Sequence, residues 1–167
     1  MKKPAVKILF VCLGNICRSP LAEAIFNKKI HDMGLEDQLT ADSCGTGSYH
    51  IGDRPDPRTL ASAAKHGIPV NHLCRQLHEN DFKGFDMILA MDESNKKNIL
   101  WKGGEAFSQK VWMMRAFDPE GGEQVPDPYH GQEREFEEVY QILDRSVSGL
   151  IRYLKKEMLT DAPGSEG

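Results

Sequence analysis

The segment Val6-Lys7-Ile8-Leu9-Phe10-Val11-Cys12 constrains the fold of this chain more than any other. It is apolar and rich in β-branched residues, broken only by Lys7, and predicts a strand buried on both faces, as in a parallel sheet covered by helices. The run stops at Leu13-Gly14-Asn15, a turn signal, with Gly14 expected to allow the curl. A helix is predicted from Ser19: serine is a favoured N-cap, Pro20 takes the first helical position, and Leu21, Ala22, Ile25, Phe26, Ile30 and Met33 form an apolar stripe ahead of Gly34.

The same alternation continues along the chain. Gln38 to Cys44 predicts a strand, Asp56 to His66 a helix ending at Gly67, Asp86 to Met91 a fully apolar strand, Ser94 to Trp101 a helix, and Val111 to Phe117 a further strand. A loop rich in Gly and Pro follows from Asp118 to Gly131, and a last helix from Gln132 to about Leu159 carries Phe136, Val139, Tyr140, Leu143, Val147, Leu150, Ile151 and Leu154 at helical spacing. Alternating strands and helices imply right-handed crossovers and an α/β fold of three layers: a four-stranded parallel sheet with helices on both faces. One domain over residues 4–159 suits a chain of 167 residues with 40% hydrophobic and 28% charged side chains, and the polar tail Thr160 to Gly167 is expected to be disordered.

Composition narrows the function classes. A net charge of −4 argues against a protein that neutralises nucleic acid or an acidic membrane, so an anion site here has to be local. The run Ile8 to Leu13 is far short of the roughly 20 apolar residues of a membrane span. Lys2 and Lys3 ahead of it imitate a secretory leader, but Pro4, Lys7 and the lack of a small-x-small site before Arg18 speak against one. Four scattered cysteines, Cys12, Cys17, Cys44 and Cys74, form neither a disulfide framework nor a zinc motif, which predicts reduced thiols in a cytoplasmic protein with no metal and no cofactor.

The loop Cys12-Leu13-Gly14-Asn15-Ile16-Cys17-Arg18-Ser19 lies where open α/β sheets bind ligands, between the carboxyl end of a strand and the start of a helix. Such a loop aims successive backbone N–H groups inward, and the helix dipole adds positive potential, so it suits a tetrahedral dianion. Arg18 supplies a planar guanidinium able to grip two phosphate oxygens. Cys12 would lie beneath the anion, and the same field favours thiolate over thiol, making it a nucleophile. A cysteine at a strand end is ordinarily a small buried hydrophobe; the arginine of the C-x5-R spacing, followed by Ser-Pro at a helix start, distinguishes this one. The Gly-Lys-Ser/Thr ending of a nucleotide-binding P-loop is absent. Such chemistry also needs a carboxyl group to protonate the leaving group and then activate water. Asp127, between Pro126 and Pro128, is the best candidate, with Asp118 of Asp118-Pro119 as a weaker one.

The run Val11-Cys12-Leu13-Gly14-Asn15-Ile16-Cys17-Arg18-Ser19-Pro20-Leu21-Ala22-Glu23, together with the distant Asp127-Pro128-Tyr129, resembles the low-molecular-weight protein tyrosine phosphatases over nearly the whole chain. The resemblance implies a phosphotyrosine phosphatase I-like fold and metal-free hydrolysis of phosphotyrosine and aryl phosphates through a cysteinyl-phosphate, with Asp127 as the acid. It also implies that Asn15, Ser19, Ser43 and His72 hold the phosphate loop, with Ser19 helping the thiolate to leave. Ser19 has a plain alternative as an N-cap, and Asp92 either shapes the site or caps a helix. Cys12 and Cys17 lie close enough in the loop to pair on oxidation as a reversible off switch. Tyr49, Tyr129 and His130 are implied at the entrance, where rings sandwich a phosphotyrosine. Some members carry tryptophan in place of Tyr49 and tyrosine in place of His130.

The expected partners are phosphotyrosine proteins or small aryl phosphates, with no nucleic acid or membrane, acting on a monomer or weak dimer. Three rivals remain. Thioredoxin-coupled arsenate reductases share the loop but need two further cysteines near the third strand, where this chain offers only Cys74. Cysteine phosphocarriers need neither Arg18 nor Asp127. Protein-arginine phosphatases resemble this chain except for a threonine where Ile16 stands.

Overall fold

The computed structural model describes residues 5–159; the tail expected to be disordered lies outside the described residues. Four strands, β1 (Val6–Cys12), β2 (Leu39–Gly45), β3 (Met87–Ala90) and β4 (Val111–Met113), form one sheet in the order β2-β1-β3-β4. Every neighbouring pair is parallel, with Phe10 opposite Ser43 on one side and Leu89 on the other. The expected parallel sheet with two covered faces is present.

Strand alternation divides the core in two. Ile8, Phe10 and Cys12 point toward helices α1 (Arg18–Asp32), α2 (Pro57–Lys65) and α5 (Glu133–Glu157), joining Ile25, Phe26, Val147 and Ile151. Leu9 and Val11 point to the other face, with Phe82 of the short helix α3 (Asp81–Gly84) and Ile99 of α4 (Glu93–Gly103). Because β1 is central, its C-terminal end projects Cys12 between the two layers.

Local chemistry explains most boundaries. Asp56 caps α2 through the Arg58 amide at 2.8 Å, ahead of Pro57. Gln132 and Glu135 form a capping box at the start of α5.

Three expectations need correction. The last strand stops at Met113 rather than Phe117, because residues Met114–Phe117 turn into a 3-10 helix that tucks under α5. Gly149 of α5 sits directly on the Phe117 carbonyl, a close approach with no room for a Cβ. Ser19 is not the cap of α1, which starts one residue earlier, with Cys17 at the N-cap position and no side-chain capping bond. Left-handed backbone in the loop falls on Asn15 (φ 60°), not on Gly14. Helix α3 and a 3-10 segment over Glu105–Lys110 were not expected; four and six residues are too short to show a periodicity.

Candidate active site

At the carboxyl end of β1 the chain curls through Leu13 to Cys17 and enters α1. With no side chain capping its first turn, α1 directs its unpaired N–H groups at the concavity of the loop. A cavity of about 440 Å³ opens above it, lined by Cys12, Leu13, Gly14, Ile16, Cys17, Arg18, Tyr49, His50, Asp127, Tyr129 and His130. The structure thus brings together every loop and rim residue named from the sequence except Asn15 and Ser19, which lie behind the loop.

Asn15 is fully buried and holds the loop from the rear. Its amide nitrogen donates to Ser19 Oγ (2.8 Å) and Ser43 Oγ (3.1 Å). Its carbonyl oxygen accepts from His72 Nε2 (2.7 Å) and the Arg75 amide (3.0 Å). Asparagine is among the few L residues that tolerate φ near +60°, so one side chain both permits the turn and fixes it. Ser19 Oγ also lies 3.0 Å from Cys12 Sγ. Ser43 and His72 thus both bond the Asn15 side chain.

A second layer escaped that reading. Ser43 donates to Glu23 Oε1 (2.7 Å), and His72 Nδ1 lies 3.2 Å from the same oxygen and 3.7 Å from Asp42. Burial pushes the Glu23 carboxyl up to about 7 and the His72 imidazolium down, so both shifts favour a neutral pair with one proton bridging Oε1 and Nδ1. Glu23, Asp42 and His72 are close enough to suggest metal ligation. Their atoms are already committed: His72 Nε2 to Asn15, and Asp42 to Arg75 at 3.0 Å. This cluster supports the loop. Glu23 could have been found from the sequence, since it lies one helical turn beyond Ser19.

Cys74 donates its thiol to the Asn15 backbone carbonyl at 2.9 Å, a further tie on the loop from behind. Gly45, at the end of β2, lets the Leu13 carbonyl approach where any Cβ would come within 2.6 Å of it.

Arg18 is buried, its guanidinium held by Asp92 Oδ2 (2.7 Å) and the Val125 carbonyl (3.0 Å). Burial opposes its charge, but its electrostatic interaction with the Cys12 sulfur and its hydrogen bond to Asp92 outweigh that and raise its pKa. Asp92 also caps α4 through the Asn95 amide at 2.8 Å, so both roles weighed for it hold. The second guanidinium nitrogen lies 3.6 Å from Asp127, which faces the loop, half exposed, across the cavity. Val125, buried and bonded to the Met91 carbonyl at 2.8 Å, anchors the loop that carries Asp127. Asp118 is elsewhere, engaged by Arg115 and Arg145 at 3.0 and 2.9 Å. Its carboxyl is no candidate acid.

Cys17 lines the cavity but is mostly buried against Thr59, and burial pushes its thiol up to about 12. At the rim, Tyr129 and His130 meet edge to face at 5.0 Å, and Arg58 lies 5.5 Å over the Tyr129 ring. His50, a wall residue, carries no motif that would have marked it.

The fold and the loop define a class of α/β phosphatases built on a cysteine-arginine anion cradle. The family model described as low molecular weight phosphotyrosine protein phosphatase matches residues 7–160, and this chain belongs to that family. The phosphatase of that name from Schizosaccharomyces pombe is 47% identical over 87% of this chain and 95% of its own length. A protein tyrosine phosphatase from Entamoeba histolytica, crystallised with Hepes in its active site, superposes with a TM-score of 0.88 at 40% identity, covering 91% of this chain and 98% of that one. The YwlE arginine phosphatase of Bacillus subtilis superposes with a TM-score of 0.84 at 27% identity, covering 92% of this chain and 99% of that one.

Proposed function

We propose that this chain is a protein tyrosine phosphatase that hydrolyses phosphotyrosine and aryl phosphate monoesters through a cysteinyl-phosphate, without a metal. The observation that carries this reading is Cys12 at the floor of a cavity whose loop, buried Arg18 and facing Asp127 converge on one point.

The phosphate sits in the loop with its equatorial oxygens on the backbone N–H groups of Leu13 to Ser19 and on Arg18. Cys12 Sγ attacks phosphorus as the bond to the phenolic oxygen breaks, and Asp127 gives its proton to that oxygen. Water then attacks the phosphocysteine while the Asp127 carboxylate accepts a proton, and the S–P bond breaks. The Ser19 hydroxyl, 3.0 Å from Sγ, stabilises the departing thiolate. Asp92 and the Val125 carbonyl hold Arg18 in place so that its grip needs little reorganisation. Asn15, Ser43 and His72 keep the loop curled.

Ring walls from Tyr49 and Tyr129 and the half-buried, apolar Ile16 favour a flat aryl group over a guanidinium, the substrate class of the YwlE relative. Cys17 serves as the trap for oxidised Cys12: a peroxide oxidises the Cys12 thiolate to a sulfenic acid and is itself reduced, the sulfenic acid condenses with the Cys17 thiol, releasing water, and thiol reductant reverses it. Such a switch suits a reducing, cytoplasmic setting. Among the described residues no helix is long and apolar enough to cross a membrane.

The test is turnover of p-nitrophenyl phosphate by the purified protein with chelator present, compared with Cys12→Ser. Chelator-resistant activity lost in the variant supports the mechanism. Activity that survives in Cys12→Ser refutes it.

A further inference from the structure

Leu13 and Tyr49 belong to two concavities at once. On one side they wall the cavity over Cys12; on the other they wall a separate groove of about 340 Å³, completed by Thr46, Gln76, Leu77, Trp101 and Lys102 among others. A chain seated over Cys12 that crosses this shared ridge enters the groove directly.

The groove has a defined chemical character. Its floor includes buried Leu77, while Leu13, Tyr49 and Trp101 stand 42%, 72% and 88% exposed along it. Three large apolar side chains around one depression are the usual mark of a binding surface. The Trp101 indole, in the last turn of α4, stacks on no other ring among the described residues. Gln76 ties down the wall by donating to the Thr46 carbonyl at 3.1 Å. Lys102 is exposed, with no carboxylate paired to it among the described residues.

We propose that this groove is a substrate-docking subsite: it holds one flank of the phosphotyrosine in a peptide substrate, taking an apolar side chain against Trp101 and an acidic residue at Lys102. The proposal rests on the phosphatase reading above and extends it from the phosphoamino acid to the sequence around it. Continuity with the catalytic cavity selects substrate as the occupant, because Leu13 and Tyr49 wall both concavities and a peptide whose phosphotyrosine reaches Cys12 can run across them into the groove. The unpaired ammonium selects an acidic flank.

Two substrates separate the contributions. p-Nitrophenyl phosphate reports the cavity alone, and phosphotyrosine peptides carrying either leucine and glutamate or alanine and lysine on each flank in turn report the groove. Wild type is expected to prefer the leucine-glutamate peptide on one flank. Trp101→Ala is expected to lower kcat/KM for that peptide about tenfold, mainly through KM, in line with the loss of one aromatic anchor. It should leave p-nitrophenyl phosphate within about twofold. Lys102→Glu is expected to reverse the charge preference. Neither side chain is buried, so both variants keep the fold, and the aryl phosphate rate checks it.

Wild type that hydrolyses both substrate types without flank preference overturns the groove and leaves the phosphatase intact. Wild type without Cys12-dependent aryl phosphate hydrolysis overturns both. Trp101-dependent self-association in sedimentation, with unchanged flank preference, assigns the groove to a second copy of the chain and refutes the proposal.

Discussion

Removing the Asn15 side chain should separate the two jobs it performs. In Asn15→Ala the Arg75 amide and His72 Nε2 lose their acceptor, and Ser19 and Ser43 lose a donor. Two donors left unsatisfied in a buried setting cost about 1–3 kcal/mol each, and a Cβ without a local hydrogen bond at φ 60° adds roughly 1 kcal/mol. The expected loss is therefore about 3–7 kcal/mol, large against the 5–15 kcal/mol of an ordinary domain. Asn15→Gly suffers the same hydrogen-bond losses but relieves the backbone, so it should recover about 1 kcal/mol of that. Urea unfolding of the three proteins at pH 7 measures the stabilities, and aryl phosphate turnover shows whether the loop still holds its curl. An Asn15→Ala protein within about 1 kcal/mol of wild type, or a glycine variant no more stable than the alanine one, would refute the assignment of both roles to this residue.

Three further outcomes follow from other parts of the molecule. Asp127→Ala should slow hydrolysis of esters with poor leaving groups about 10²-fold and activated aryl esters much less; an equal loss across a leaving-group series would place the acid elsewhere. Asp118→Ala strands Arg115 and Arg145 and should destabilise the protein by about 3 kcal/mol. Burial opposes the Asp118 charge, but the Arg145 bond and its other partners prevail and hold its carboxyl below the usual carboxylate range, so its contribution is present above the unfolded carboxylate range and is lost as the pH falls through that lowered pKa. Comparing wild type with Asp118→Asn in urea over a series from pH 7 down into the acid range checks this, and a gap that never shrinks in acid contradicts it. Gly149→Ala should cost about 3 kcal/mol by driving a methyl into the Phe117 carbonyl, whereas a gain of about 1 kcal/mol from helix propensity alone would show that the contact relaxes.

What could be read along the chain was whatever depends on neighbours in sequence. The apolar run of β1, the Asp56-Pro57 start of α2 and the stripe of α5 each carry a period or a cap within one element, and each was legible. So was the loop, because its cysteine, its arginine and the helix that polarises it are contiguous. Where a tertiary contact overrode local preference, reading along the chain failed. Val111 to Phe117 has the composition of a strand, yet it bends at Met114 because α5 offers Gly149 as a seat for the turn. Ser19 has every local mark of an N-cap, but its hydroxyl is drawn to Cys12 and Asn15 instead.

The same division runs through the site. By itself the sequence determined the layers and singled out Cys12, Arg18 and Asp127 as candidates, since periodicity, turn chemistry and the C-x5-R spacing are all properties of order along the chain. Only the tertiary structure decided that Arg18 would be held by Asp92 and Val125, that Glu23 and Asp42 would stand behind His72, and that Leu13 and Tyr49 would border two concavities. Those partners lie tens of residues apart, and a buried charge or polar group takes whichever complement the packed layers bring within reach, which no local pattern encodes.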